Sequence, residues 1–254
     1  MSYKAAAIII AAVLFWGLAL GLRIEAEGFW DFPPNLPPEE YGNLIINRTS
    51  EKNGVKAVTF SHWSHRRKHT CRVCHSELEF NMKLNTTEIT EESNKAGRFC
   101  GACHNGKLAF GHGKADCEKC HNGNRSYGKG KFSELSHFPK TVAGNKIDWV
   151  KALEKGLFKP SVYLKDRPSD FPFEKKLLLQ AEWLNIPPAV FPHKEHIQWL
   201  DCNNCHPDIF NIKQKTTKHF SMPFILGGQF CGVCHLSVAF PLNDCKRCHP
   251  DMTQ

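Results

Sequence analysis

The longest apolar run of the chain lies near its N-terminus. Residues Ala5 to Leu22 are all apolar or glycine, with Lys4 before them and Arg23 after them. A run of this length is at the lower limit for a helix that spans a bilayer, and it is long for the apolar region of a signal peptide. The pattern predicts an uncleaved transmembrane anchor over residues 1–28, with a cleaved signal peptide as the alternative.

The charges that flank this run predict its orientation. Lys4 precedes it, whereas Glu25, Glu27 and Asp31 follow it, which favours an N-terminus in the cytoplasm. The rest of the chain then lies on the periplasmic, outer face of the cytoplasmic membrane. Residues 29–57 follow as a spacer that is rich in proline near its start.

Beyond the spacer the apolar residues are scattered in short groups. Only 41% of all residues are hydrophobic, and part of that share is used by the N-terminal run. Helices are predicted over Ile147 to Gly156 and over Phe173 to Asn185, while prolines interrupt the neighbouring stretches. The expected fold is mostly irregular with short α-helices, and something other than side chains has to fill its core.

The cysteines follow a single pattern. All twelve form C-x-x-C pairs, every pair is followed at once by a histidine, and no cysteine is left over. The pairs are Cys71/Cys74, Cys100/Cys103, Cys117/Cys120, Cys202/Cys205, Cys231/Cys234 and Cys245/Cys248, and the histidines are His75, His104, His121, His206, His235 and His249.

C-x-x-C-H is the attachment signature of c-type haem. Two thiols about one helical turn apart reach the two vinyl groups of one porphyrin, and the adjacent histidine then ligates the iron. Zinc ribbons and thioredoxin-like sites also use C-x-x-C, but they give no reason for six adjacent histidines. We therefore expect six covalently bound c-type haems, which also supply the apolar interior.

The cysteine-containing region repeats one design twice. Each half contains an F-x-H-x-x-H segment, then three C-x-x-C-H motifs, the second of which reads F-C-G-x-C-H. The matching segments are Phe60–His65 with Phe191–His196, and Phe99–His104 with Phe230–His235. This predicts three-haem modules over residues 58–125 and 190–254. Residues 126–189 join them, as a plain connector or as a docking surface, and a two-stranded ribbon is expected near each F-x-H-x-x-H.

This module resembles the three-haem cytochromes of the cytochrome c7 group, relatives of cytochrome c3, over residues 58–121 and 190–250. The resemblance implies tandem c7-like modules in which the paired histidines and one later histidine are the second iron ligands. It assigns His62 and His65 to the haems on His75 and His104, and His193, His196 and His219 to the haems on His206, His235 and His249. The architecture also resembles the anchored multihaem subunit of the quinone reductase complex of sulfate reducers and of alternative complex III.

One haem of the first module lacks its expected second ligand. The position that matches His219 is Ile89, so the haem on His121 needs another partner. Met82 is one candidate because a thioether is a good axial ligand. The alternative is that Met82 is an ordinary residue of the hydrophobic core. His112 and His137 are the others, with His69 behind them. A haem without a sixth protein ligand is also compatible with the sequence.

These features predict an electron-transfer protein that is not itself an enzyme. It would carry electrons between a quinone-linked membrane complex and soluble periplasmic cytochrome c. The alternatives are a multihaem reductase with one open-coordination haem and a cytochrome that forms extracellular filaments. The formal charge of +8 does not indicate nucleic-acid binding, because the lysines interleave with the haem motifs. Basic runs such as Arg66-Arg67-Lys68 and Lys129 to Lys131 are expected at the surface, either as simply solvated stretches or as surfaces that steer an acidic redox partner.

Overall fold

The structure is a computed structural model, and it describes residues 32, 34–165, 172–180, 186–213 and 217–252. The predicted anchor over residues 1–28 lies outside this part. Within it, no helix has both the length and the apolar character needed to cross a membrane. Residues Phe32–Gln254 form one compact unit, so that both predicted modules belong to the same body.

Regular structure in the described part is short, as the sequence predicts. The strands are β1 (Asn43–Ile46), β2 (Val58–Ser61), β3 (Lys176–Leu179) and β4 (Ala189–Pro192). The α-helices are α1 (His62–Arg66), α2 (Glu91–Lys95), α3 (Cys117–Cys120), α4 (Trp149–Glu154), α5 (His193–Ile197), α6 (Met222–Leu226), α7 (Gly232–His235) and α8 (Cys245–Cys248). A π-helical turn covers Val73–Glu77, and 3-10 turns cover Glu51–Asn53, Phe99–Ala102, Lys114–Asp116, Lys129–Leu135 and Cys202–Asn204.

Each half begins with an antiparallel two-stranded ribbon, which confirms the prediction of a ribbon near each F-x-H-x-x-H. Strand β1 pairs with β2, and β3 pairs with β4. The second strand of each ribbon is rich in β-branched and aromatic residues, which favour a half-buried strand. Helices α1 and α5 begin directly after β2 and β4, so the ribbons fix where both pairs of histidines start.

The helix predicted over Phe173 to Asn185 is wrong where the structure describes that stretch. Residues Lys176–Leu179 form β3, and residues 181–185 lie outside the described part. The local pattern of three consecutive leucines is equally compatible with a helix and with a strand. Pairing with Ala189–Pro192 decides between them, because it supplies the backbone hydrogen bonds of the ribbon. The helix predicted over Ile147 to Gly156 is confirmed as α4, capped by the Asp148 side chain.

Much of the ordinary hydrophobic core comes from the segment that joins the modules. The buried cluster combines Leu135, Phe138, Ile147, Trp149 and Ala152 of this segment with Trp63 of α1 and Trp199 of the second module. Phe158 stacks on Phe138 and Trp199 within the same cluster. Residues 132–158 are therefore packed between the two halves and hold them together.

Polar contacts join the first haem motif to the fourth. The buried Arg72 side chain donates hydrogen bonds to the carbonyl oxygens of Ile197 and Leu200, the latter at 3.0 Å, and to the Tyr163 hydroxyl at 3.2 Å. It also forms an ion pair with Asp201 at 3.5 Å. The Ser76 hydroxyl, next to the first motif, donates to Asn203 Oδ1 inside the fourth at 3.1 Å. Further along, the Tyr41 hydroxyl donates to the Ala239 carbonyl at 2.6 Å.

Candidate haem-binding sites

A single cavity of about 1280 Å³ runs through both modules. Every one of the six C-x-x-C-H motifs contributes at least one cysteine to its lining. The volume exceeds the roughly 300–1,000 Å³ of small-molecule pockets. Its lining is mostly apolar, and leaving so much apolar surface in contact with water is unfavourable. Large apolar groups therefore have to fill this central cavity.

The twelve cysteines are free thiols in the structure, ten of them half-buried and two exposed, and many line the central cavity. Burial raises the pKa of the Cys74, Cys231 and Cys234 thiols to about 12. Such an environment disfavours a thiolate, whereas a thioether carries no charge and loses little there. In the described part of the chain, no group of three or more His, Cys, Asp or Glu side chains is arranged to hold a metal ion.

Most of the fourteen histidines share one structural feature. In ten of them the ring Nδ1 donates a hydrogen bond to a backbone carbonyl oxygen, at 2.7 to 3.1 Å. This bond fixes the ring orientation and the tautomer, and it leaves Nε2 available to a metal. The ten are the six motif histidines His75, His104, His121, His206, His235 and His249, together with His62, His65, His193 and His196.

Two pairs of histidine rings lie at a centre-to-centre distance that fits two ligands of one iron. The ring centres of His65 and His104 are 6.2 Å apart, and those of His196 and His235 are 6.3 Å apart. Two imidazoles that share a metal ion, each with its nitrogen about 2 Å from it, have ring centres about 6 Å apart. Each module thus brings together one pair that the family resemblance implies.

Burial keeps these rings neutral. Desolvation lowers the pKa of His62 to about 3, and that of His65 and His235 to about 4, against the small opposing effect of their carbonyl hydrogen bonds. A neutral imidazole is the form that ligates iron. The rings are also held by aromatic neighbours in the same way in both halves, since Phe60 stacks on His65 at 4.4 Å and Phe191 on His196 at 4.3 Å.

The glycine of each F-C-G-x-C-H segment lies where two backbone segments approach each other closely. A Cβ at Gly101 would lie 1.8 Å from the Asn94 carbonyl oxygen, and one at Gly232 would lie 1.9 Å from the Ile225 carbonyl oxygen. Only glycine therefore allows α2 and α6 to pack against the second motif of each module. The phenylalanines before these motifs both have positive φ, 47° for Phe99 and 51° for Phe230, a strained conformation for a bulky residue that both modules repeat.

The stretch between the first and second motifs differs between the modules. Thr87 and Thr217 make the same hydrogen bond, to the backbone N–H of Asn81 and Asn211, respectively. The helix caps that follow are Thr90 and Ser221, so the first module is one residue shorter between these points. The sequence match of Ile89 to His219 is thus interrupted by a deletion, and the first module has no residue that takes the exact place of His219.

The remaining candidates differ in where their side chains lie. His112 and Met82 both line the central cavity, although His112 is largely exposed. Ile212, which matches Met82, is 81% exposed. His69 lines the cavity as well, with its Nδ1 buried and without a hydrogen-bond partner in the described part of the chain. His137 is exposed and lies outside the described cavity lining.

One residue of the predicted surface run is half-buried against aromatic rings. The Arg66 guanidinium lies over the rings of Trp149 and Trp199, 5.2 Å and 5.8 Å from their centres, and lines the central cavity. Arg67 behaves as expected, since it is partly exposed and pairs with Glu134 at 2.9 Å. Arg66 therefore contacts aromatic faces from the connecting segment and from the second module, which Arg67 does not.

Comparisons with known proteins agree with these features. Residues 58–122 and 189–250 match the family described as cytochrome c7 and related cytochrome c. No curated protein matches the chain. Among solved structures, the chain is similar to the C-terminal hexahaem fragment of GSU1996, with 25% identity over 86% of this chain and 99% of that one and a TM-score of 0.27. It is also similar to a c7-type three-haem cytochrome domain, with 36% identity over 35% of this chain and 94% of that one and a TM-score of 0.27.

Paired thiols, oriented imidazoles and one continuous apolar cavity fit c-type haem and define a multihaem c-type cytochrome, a class of electron-transport proteins. The matched residues span half of the chain. The chain belongs to the family of cytochrome c7 and related c-type cytochromes.

Proposed function

We propose that this protein carries six haems and moves electrons at the outer face of the cytoplasmic membrane, between a quinone-linked membrane complex and soluble periplasmic cytochrome c. The haem count follows from the six C-x-x-C-H motifs. When bound, each haem supplies a one-electron iron couple whose potential depends on its axial ligands and surroundings. The chain's own part is to hold these groups rigidly and close together in a cavity shared by both modules.

The observation that carries this proposal is the set of ten histidines whose Nδ1 donates to a backbone carbonyl. A metal-ligating histidine almost always donates its other ring nitrogen in this way. Here the six motif histidines and four of the proposed second ligands all do so. Two imidazole ligands on one iron favour electron transfer over oxygen chemistry, which supports a carrier and not an enzyme.

The proposed second ligands follow the resemblance for five haems. His62, His65, His193, His196 and His219 serve the haems on His75, His104, His206, His235 and His249. The spacings of 6.2 Å and 6.3 Å support two of these pairs directly.

For the haem on His121 we propose His112. This residue lies two positions after Phe110, whose carbonyl accepts from His104, and Leu242 lies two positions after Phe240, whose carbonyl accepts from His235. The two modules thus have a histidine at different ones of these two places. The first has His112 and lacks a histidine at the place of His219, while the second has Leu242 together with His219. Both His112 and Leu242 line the central cavity.

The membrane and partner parts of the proposal rest on the apolar run Ala5 to Leu22 and on the charges around it. The test is to produce the full chain in a bacterium that matures c-type cytochromes and to separate its membranes from its periplasm. The control replaces residues 1–28 with a cleavable signal peptide. We expect the full chain to stay in carbonate-washed membranes and the control to be soluble.

The same membranes test the proposed electron-transfer partners. Adding a quinol should reduce the haems in membranes that contain a quinone-linked complex, and soluble ferric cytochrome c should then reoxidise them. Recovery of the full chain in the periplasmic fraction would contradict the anchor. A chain that stays in the membrane but exchanges no electrons with either reagent would contradict the proposed partners.

A further inference from the structure

Arg66 occupies the junction between the two modules. Its guanidinium contacts Trp149 of the connecting segment and Trp199 of the second module, and it donates a hydrogen bond to the Val238 carbonyl oxygen at 3.3 Å. Val238 in turn follows the fifth motif closely, since its N–H donates to the Cys234 carbonyl at 3.0 Å. A residue of helix α1 in the first module thus reaches the fifth haem motif, in the second module.

Arg66 faces no carboxylate side chain among the residues that the structure describes. In the described part of the chain no Asp or Glu lies within ion-pair distance of it, although the neighbouring Arg67 pairs with Glu134 and Arg72 pairs with Asp201. Cation–π contacts with two tryptophans stabilise the guanidinium in place but leave its net charge unchanged. A fixed positive charge therefore stands at the wall of the central cavity.

This charge is not part of the repeated design. Helix α1 begins at His62 and ends at Arg66, while the matching helix α5 begins at His193 and ends at Ile197. The second module thus has an apolar residue where the first has a cation. The difference falls at the place where the first module meets the second, which indicates that Arg66 serves the junction and not the common haem-binding scaffold.

The junction also brings two haem motifs together. Cys71 of the first motif packs on the buried cluster that contains Trp149 and Trp199, the same rings that hold Arg66. Arg66 links this cluster to the fifth motif, because the Val238 carbonyl to which it donates belongs to the residue whose N–H donates to the Cys234 carbonyl. Both cysteines line the central cavity.

We propose that the haem on Cys71 and Cys74 and the haem on Cys231 and Cys234 form the contact through which electrons cross between the modules, and that Arg66 raises the reduction potential of this pair. The proposal rests on the haem attachment proposed above. A positive charge in a site of low dielectric stabilises the iron centre that has gained an electron. The two haems at the crossing point are therefore reduced more readily because of Arg66. Arg66 is a positioning residue that sets their reduction potential.

The test compares Arg66→Gln and Arg66→Leu with the matched control Arg67→Leu, one position away on the same helix end. Each purified holoprotein is titrated potentiometrically, and nuclear magnetic resonance of the haem methyl groups follows each haem separately. We expect both Arg66 variants to lower the potentials of these two haems by about 59 mV, a tenfold change in the ratio of oxidised to reduced iron. Arg66→Lys should retain most of the wild-type potential, and Arg67→Leu should match the wild type.

Unchanged potentials in Arg66→Gln, with all haems in place, would overturn the proposal. A shift confined to haems on other motifs would do so as well. The mass of the wild-type holoprotein distinguishes this failure from a failure of the proposed function, because missing haems on Cys71 or Cys234 would show in that mass before any variant is made. Should Arg66→Leu lose haem, the polar Arg66→Gln variant decides the outcome.

Discussion

Replacing Arg72 by methionine tests how the modules are held together. The Arg72 side chain is 8% exposed and binds two carbonyl oxygens, a hydroxyl and the Asp201 carboxylate. Removing one partner of a buried ion pair costs about 3–5 kcal/mol, because the other charge stays behind without compensation. Asp201 is 30% exposed and keeps its hydrogen bond from Tyr163, so we expect the lower end, about 3 kcal/mol.

The assay is thermal unfolding of the ferric holoprotein, followed by circular dichroism at one scan rate. For a chain of this size each kcal/mol shifts Tm by about 2–4 °C, so Arg72→Met should lower Tm by roughly 6–12 °C. The control is Arg67→Met, which breaks the exposed pair with Glu134 and should cost at most about 1 kcal/mol. Equal shifts in the two variants would refute the argument that Arg72 joins the modules.

Two further predictions concern the haem motifs. Gly101→Ala places a Cβ against the Asn94 carbonyl oxygen and should destabilise the holoprotein by at least about 1–3 kcal/mol, whereas Gly130→Ala, which meets open space, should leave Tm unchanged. An unaltered Tm in Gly101→Ala would count against this close packing. We assign His112 as the sixth ligand of the haem on His121, so His112→Ala should produce a high-spin ferric signal in electron paramagnetic resonance. Met82→Leu should not produce this signal. The opposite result would assign Met82 as the ligand.

The haem motifs and the repeat were predictable from sequence because their chemistry is local. Two thiols and a histidine at fixed spacing describe the attachment by themselves, and the F-x-H-x-x-H segments place their histidines directly after a strand. The glycine of F-C-G-x-C-H was visible as a repeated residue. Its reason was not, because the carbonyl that excludes a side chain at Gly101 belongs to another helix.

The connecting segment was poorly predicted because its role depends on distant partners. Its aromatic residues show no clear period, yet they pack between Trp63 and Trp199, which are far apart in the sequence. The same limit applies to Arg66, which looks like part of an ordinary basic run. A comparison of the two modules contained the missing signal, because Ile197 stands at the position that matches Arg66. A difference between matching positions of the two modules marks a place where the modules have different tasks.

The most direct test of the account is the mass of the intact purified holoprotein after treatment with a thiol-alkylating reagent under denaturing conditions. The account predicts a mass that exceeds the polypeptide by six haems, with none of the twelve cysteines alkylated, because all of them are bound as thioethers. A smaller excess, with a pair of alkylated cysteines for each missing haem, would contradict it.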